Sequence, residues 1–176
     1  MTDMIRPARE ADLPAITAIY GDAVATSTVS FETEAPTLAE MTRRFALLRG
    51  DGFPYLVAER DGAIAGYAYA GPYHQRAAYR STVEDSIYVA RAFRGRGVGR
   101  SLLAALIAAS EHLDCRAMIA IIAQSGSQAS VVLHASLGFT PVGTLVGVGY
   151  KHGRWLDVTL MQRPLGAARD APPTRI

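Results

Sequence analysis

Val83–Leu103 reads VEDSIYVARAFRGRGVGRSLL, and its three parts follow three different rules. Val83–Val89 mixes β-branched and aromatic residues as a strand does. Arg94-Gly95-Arg96-Gly97-Val98-Gly99-Arg100 is a turn of arginine and glycine. From Leu102 a helical repeat begins, with Leu103, Leu106 and Ile107. A glycine-rich turn entering a helix lets backbone N–H groups converge, uncovered by side chains, at the positive end of the helix dipole. The arginines add charge at the same place. The stretch predicts a strand–turn–helix unit that holds a phosphate-bearing ligand. Its plainer alternative is a tight turn with solvated arginines.

Upstream, two strands, Tyr55–Glu59 and Ile64–Ala70, flank Asp61-Gly62, a hairpin signal, and the loop Gly71–Tyr79 leads into the central strand. Thr37-Leu38-Ala39-Glu40 has the form of a capping box for a helix carrying Met41, Phe45 and Leu48. Thr26–Thr33, with Phe31, reads as a loop. An earlier helix is expected from Asp12 as N-cap, through Leu13, Ile16, Ile19, Tyr20, Ala23 and Val24. Met4–Ala8 reads as a first strand. Downstream, the helix after the turn runs to about His112, Ala117–Ala123 is an apolar strand, and Gln124–Gln128 is a polar break. Ala129–Leu137 is a short helix ended by Gly138, and Thr140–Val148 and Trp155–Gln162 are the last strands.

The order β-α-α-β-β-β-α-β-α-β-β predicts a mixed α/β sheet, antiparallel where strands follow directly and parallel where a helix intervenes. Residues 1–165 are expected to form one domain, and Gly166–Ile176 a loose tail.

Composition narrows the function. Hydrophobic residues at 49% with charged residues at 19% describe a soluble globular chain. No apolar run approaches the ~18 residues of a membrane span, and the first residues lack the layout of a secretory signal. A single cysteine, Cys115, excludes an intramolecular disulfide and a cysteine metal cluster. A cytoplasmic protein without a membrane partner is the expectation. His74, His112, His134 and His152 show no close ligand spacing, so no metal is expected. The net charge is +2, and the basic residues are scattered except at Arg91–Arg100. That suits a small polyanion better than a nucleic acid.

Three phosphate motifs compete for the turn. A Walker A loop needs Gly-Lys-Ser/Thr, but Gly99 is followed by Arg100-Ser101. A dinucleotide fingerprint needs a third glycine where Arg100 stands. The form Arg/Gln-x-x-Gly-x-Gly/Ala is met by Arg94-x-x-Gly97-x-Gly99. Here the chain resembles the GCN5-related N-acetyltransferases, whose turn of this type holds the pyrophosphate of acetyl-CoA. The order of elements is similar to that superfamily too, as is Ser130-x-x-Leu133-His134-x-x-Leu137-Gly138-Phe139. Gly71-Pro72-Tyr73, Arg76, Tyr79, Thr82-Val83-Glu84, Tyr88-Val89 and Gly149-Tyr150-Lys151-His152-Gly153-x-Trp155-x-Asp157-Val158 resemble the phosphinothricin / methionine sulfone N-acetyltransferase group. The likeness spans roughly Ile5 to Leu165.

The resemblance implies a single-domain α/β fold of the acyl-CoA N-acyltransferase type, with a mixed, mostly antiparallel sheet flanked by helices. It implies acetyl-CoA as co-substrate and a homodimer. Carried over by position, cofactor contacts fall on Ile87, Tyr88 and Val89 of the strand. They continue through Arg94, Gly95, Arg96, Gly97, Val98, Gly99 and Arg100 of the turn to Ser127 and Ser130. The group usually has an asparagine for the pantetheine arm where this chain has Ser127, whose hydroxyl can still donate and accept.

Acyl transfer from a thioester to an amine needs a proton acceptor for the ammonium, a donor for the developing oxyanion, and stabilisation of the leaving thiolate. Glu84 is the expected general base; its alternative is a solvated strand carboxylate. The oxyanion donor is expected among backbone N–H groups near Tyr88–Val89. His134 lies where many relatives place an acidic tyrosine, so it is expected either to act on the leaving sulfur or the amine, or to be a structural helix histidine. Cys115 is expected to be buried and inert, with transfer direct rather than through an acyl-enzyme.

For the acceptor, Arg76 answers a substrate carboxylate by a two-pronged hydrogen bond. Phe31, Tyr73 and Tyr79 are candidate walls, with core packing as their alternative. His74, Gln75, Glu84, Asp85 and Ser86 are candidate polar contacts. The expectation is N-acetylation of a small amino-acid analogue such as phosphinothricin or methionine sulfone or sulfoximine. The alternatives are another amine, such as a peptide N-terminus or an aminoglycoside, and a non-catalytic acyl-CoA-binding module.

Overall fold

In the computed structural model, which describes residues 4–124, 128–168 and 170–173, the elements follow in the expected order. They are β1 (Met4–Pro7), α1 (Leu13–Thr26), α2 (Leu38–Gly50), β2 (Tyr55–Arg60), β3 (Ala63–Pro72) and β4 (Thr82–Val89). After the turn come α3 (Val98–His112), β5 (Ala117–Ala123), α4 (Ala129–Ala135), β6 (Thr140–Lys151) and β7 (Arg154–Pro164). The strands form one sheet in the order β1-β2-β3-β4-β5-β7-β6. Every neighbouring pair is antiparallel except β4–β5, where α3 provides the crossover a parallel pair requires.

Local chemistry sets most boundaries. Asp61 and Gly62 both have positive φ (53° and 76°), the conformation of a tight two-residue hairpin turn. His152 and Gly153 repeat it between β6 and β7, at 50° and 74°, so both strands run further than the expected Thr140–Val148 and Trp155–Gln162. Thr37 caps α2 by accepting the Glu40 N–H at 3.2 Å, but the box is only half made, because the Glu40 carboxylate turns to Arg43 and Arg44. Asp12 holds the N-cap position of α1 but makes no side-chain cap bond: it ends a 3-10 turn, and its carboxylate accepts the Arg9 N–H at 2.8 Å and the Arg6 guanidinium at 2.7 Å. A full arginine outcompetes one helix N–H for that carboxylate. α4 stops at Ala135 rather than Leu137, before a turn in which Gly138 takes φ 86°.

Alternation along the strands divides the core in two. Val83, Ala68, Met118 and Met161 pack under Val98, Leu102, Leu103 and Leu106 of α3. On the opposite face Tyr55, Val57 and Tyr67 pack under Ile16, Tyr20 and Val24 of α1 and Met41 and Phe45 of α2. Cys115 is buried in the first core. Two such covered faces make the middle of the sheet a rigid platform, and β4 lies within it.

Candidate active site

β4 pairs with β3 along its length, from Pro72↔Val83 to Gly66↔Val89. With β5 it pairs only at Thr82↔Ala117, Val83↔Met118 and Glu84↔Ile119. Beyond Glu84 the two strands part, leaving a fork in the sheet. The Ala90 N–H bonds Ala65 O at 2.9 Å, which assigns the even-numbered amides of β4 to β3. By alternation the amides of Ile87 and Val89 lie on the side of the fork. The sequence expected unpaired amides near Tyr88–Val89.

The arginine–glycine turn lies just past the fork. Gly95 and Gly97 have φ of 73° and 86°, Gly97 is the N-cap of α3, and a Cβ added to either would meet nothing within 4 Å. These glycines serve conformation, and their amides stand uncovered at a helix N-terminus. The arginines divide their tasks. Arg94 donates to Val89 O at 3.2 Å, and Arg100 reaches Ser136 Oγ at 2.6 Å. Arg96 lies 6.0 Å from the Phe93 ring, and Arg60, absent from the sequence reading, donates to the Arg96 carbonyl at 3.1 Å. Val98 is buried, and Gly99 leaves room for Leu133 of α4.

α4 brings Ser130 and His134 to the same side of the sheet as α3; Ser127 lies outside the described residues. The His134 ring is held at both ends, with Nδ1 2.7 Å from Ser130 O and Nε2 3.0 Å from Asp85 Oδ2. Asp85, expected as an acceptor contact, instead has its Oδ2 engaged by this ring. Successive strand side chains alternate faces, so Asp85 is buried towards α4 while Glu84 and Ser86 point the other way.

Glu84 is half-buried. Burial, and then the charge of Asp85, hold its carboxyl above the ordinary glutamate range. On its face the sheet is lined with tyrosines: Tyr67 stacks on Tyr55 and Tyr88, with centroids 5.9 Å and 5.3 Å apart, and Tyr20 meets Tyr88 edge-on at 4.9 Å. A cavity of about 420 Å³ opens between these rings and α2, lined by Tyr20, Met41, Arg44, Tyr55, Tyr69 and Gln75. Of the expected loop residues, Gln75 reaches it. His74 and Tyr79 instead cluster with Tyr73, at 4.2 Å and 5.8 Å, and Arg76 is exposed at the head of the short turn Ala77–Tyr79.

The loop after α1 closes this face. Phe31 lies flat against Gly149 of β6, where any Cβ would strike the ring. Lys151, the sole lysine, is buried and donates to Val24 O at 2.7 Å and Ser30 O at 2.9 Å. Burial holds its pKa below the ordinary lysine value, against the opposing charge of Glu32. Glu32 accepts from Tyr20 and Arg44, at 2.9 Å and 2.6 Å. The sequence points to no role for Lys151, Glu32, Arg44 or, Tyr88 apart, the tyrosine wall. The every-second-residue spacing of Tyr67 and Tyr69, matched by Ser86 and Tyr88 across the register, was the signal available.

The site thus has a fork that opens beyond Glu84 and ends in a phosphate turn, and a tyrosine-lined cavity on the face of the sheet to which Glu84 points. The acetyltransferase (GNAT) domain profile matches residues 5–160. The chain belongs to the GNAT acetyltransferase family. It is 52% identical to a phosphinothricin N-acetyltransferase of Alcaligenes faecalis, over 96% of this chain and 86% of the relative. It is 42% identical to an L-methionine sulfoximine/L-methionine sulfone acetyltransferase of Pseudomonas aeruginosa, over 98% of this chain and all of the relative. The crystal structure of a GNAT phosphinothricin acetyltransferase from Sinorhizobium meliloti in complex with acetyl-CoA superimposes with a TM-score of 0.96. It is 45% identical, and the match covers 99% of this chain and 95% of that one. The chain is an acetyl-CoA-dependent N-acetyltransferase. Its residues fit that co-substrate: uncovered glycine amides at a helix N-terminus suit the pyrophosphate, and the opened strand edge suits an extended thiol arm. Among the described residues no group of His, Cys, Asp and Glu is placed to hold a metal ion.

Proposed function

We propose that this enzyme acetylates the α-amine of a small amino-acid analogue, such as phosphinothricin or methionine sulfone or sulfoximine, by direct attack within a ternary complex. The observation that carries the reading is the position of Glu84, at the last β4–β5 pair and on the tyrosine-lined face. The names of the relatives support the acceptor class.

Acetyl-CoA supplies an acetyl group activated as a thioester. Glu84 takes the proton of the ammonium, directly or through a water. Its raised pKa brings it nearer an α-amine, whose ordinary pKa is about 8, which eases the transfer. The Ile87 and Val89 amides serve the developing negative charge. The turn from Arg94 to Arg100 holds the pyrophosphate, with Ser130 towards the thiol end. Arg76 receives the acceptor's carboxylate, a group that the first residue of a peptide lacks, and Phe31, His74 and Tyr79 border the entrance.

The enzyme works in the cytoplasm as a homodimer. Support for a second copy is the exposed apolar surface of the edge strand β6, where Val142, Leu145, Val146 and Val148 are 46–78% exposed, continued by Tyr150 and Trp155. Edges of this kind are normally covered. Light scattering should give twice the chain mass, and V146E should halve it.

The decisive assay follows thiol release from acetyl-CoA with phosphinothricin, methionine sulfone and a short peptide as acceptors. The amino-acid analogues should be preferred, and R76A should raise their KM with little change in kcat. A preference for the peptide would overturn the acceptor assignment.

A further inference from the structure

Asp85 is the first residue of β4 beyond its last pair with β5, Glu84↔Ile119, so its side chain stands where the fork begins. It meets His134 of α4, 49 residues away, and the side chains of both are at most 4% exposed. The protonation of the pair follows from its partners. The Ser130 carbonyl only accepts, so Nδ1 of His134 at 2.7 Å carries a proton. One further proton fits between Nε2 and Asp85 Oδ2. Burial opposes a charged ring, but the hydrogen bond and charge of Asp85, aided by the Ser130 carbonyl, outweigh it and raise the His134 pKa. Phe139 stands edge-on to the ring at 4.9 Å.

With both ring nitrogens engaged, the His134 ring offers no free lone pair with which to take a proton from an amine. Both nitrogens face oxygens of the protein itself. What the pair does possess is a place. α4 has seven residues, too few to be stable alone. Its carboxyl end is fixed by Arg100 to Ser136 and by Arg163 to Leu137 O. Among the described residues, His134–Asp85 is the hydrogen bond that joins α4 to β4.

We propose that Asp85 and His134 are positioning residues, a buried hydrogen-bonded tether that fixes α4 against β4 at the head of the fork and so sets the seat of the acyl-CoA thiol end, without exchanging protons with the reactants. This rests on the reading that the fork holds acetyl-CoA.

Three variants test it: H134A, D85N and D85N/H134A. H134A strands a buried carboxylate, which is costly; the double variant removes that charge. A tether predicts that H134A lowers the melting temperature and raises the KM for acetyl-CoA by roughly tenfold or more through misplacement of the fork. It predicts that the double variant recovers a substantial part of both losses, and that its kcat–pH profile keeps the limbs of the native enzyme. Should H134A fail to fold, the double variant is read directly against the native enzyme by the same profile. The proposal is overturned if the double variant melts like the native protein yet stays as slow as H134A at saturating acetyl-CoA, or if it loses a pH limb. A folded H134A with native KM for acetyl-CoA and a collapsed kcat would overturn it equally. Calorimetry of acetyl-CoA on the native protein tests the underlying reading separately. No binding there removes the cofactor assignment, whereas binding without recovery in the double variant removes the tether alone.

Discussion

Glu84 and Asp85 are separated by one peptide bond, face opposite sides of β4, and meet environments that differ in almost every respect. On one side Glu84 is half-buried beside tyrosine rings, and its proton is held more firmly than usual because desolvation penalises its charge. On the other side Asp85 is sealed beneath α4 and its Oδ2 is answered by the His134 ring. A carboxylate that desolvation alone perturbs can exchange a proton; one whose Oδ2 is engaged by a helix side chain holds structure in place, although its buried Oδ1 is left without a hydrogen-bond partner. The lesson is that a pair of acidic residues in a reactive strand is not a pair of catalysts. The pleat assigns them to different work before any chemistry is considered.

The contrast breaks most readily at Glu84. E84Q should lower kcat by roughly 10²-fold or more, the usual worth of a general base, and should also raise the melting temperature. The sign follows from linkage. A carboxyl whose folded pKa is raised contributes stability that is present at low pH and lost as pH rises through that pKa, so at neutral pH the native enzyme is less stable than its amide variant. The acting form is the deprotonated one, so kcat/KM of the native enzyme should fall with decreasing pH at a point above the ordinary ~4.3 of glutamate. An E84Q enzyme with native turnover would abolish the distinction between the two faces.

A second test lies in the loop that closes the tyrosine face. K151M removes the bonds to Val24 O and Ser30 O. Leaving buried acceptors unpaired should cost about 1–3 kcal/mol of stability, visible in denaturant unfolding. Because the loss falls on the loop carrying Phe31 and Glu32, KM for the amine should rise while KM for acetyl-CoA stays put. The smallest effect belongs to the phosphate turn. G97A forces a Cβ into φ 86° at roughly 1–2 kcal/mol, and should raise KM for acetyl-CoA alone. If K151M and G97A perturbed the same substrate, the two clefts would not be separate sites.

How far the sequence could be read follows from the range of the interactions involved. The glycine turn, the Asp61-Gly62 hairpin and the order of elements are fixed by residues close in the chain, and all were legible. Asp12 takes the expected N-cap position, but its carboxylate turns away from the helix to Arg6, a partner in the preceding strand. The insertion of β7 between β5 and β6 pits pairings across dozens of residues against one another, and no local pattern reports the winner. The same holds within the site. Glu84 could be chosen from its strand, and its opposition to Asp85 follows from the pleat. The partnership of Asp85 with His134, and of Lys151 with two carbonyls more than a hundred residues earlier, exists only once the sheet has been assembled.

Lys151 also has a chemical consequence. An acetyltransferase works beside a reactive thioester that will acylate any unprotonated amine within reach. This chain has one lysine in 176 residues and seventeen arginines, whose guanidinium groups remain protonated and poorly nucleophilic. The single ε-amine is enclosed and engaged by two carbonyl oxygens. The folded enzyme therefore exposes no lysine to its own acetyl donor, and its cationic surface is built almost wholly from side chains that the reaction cannot modify.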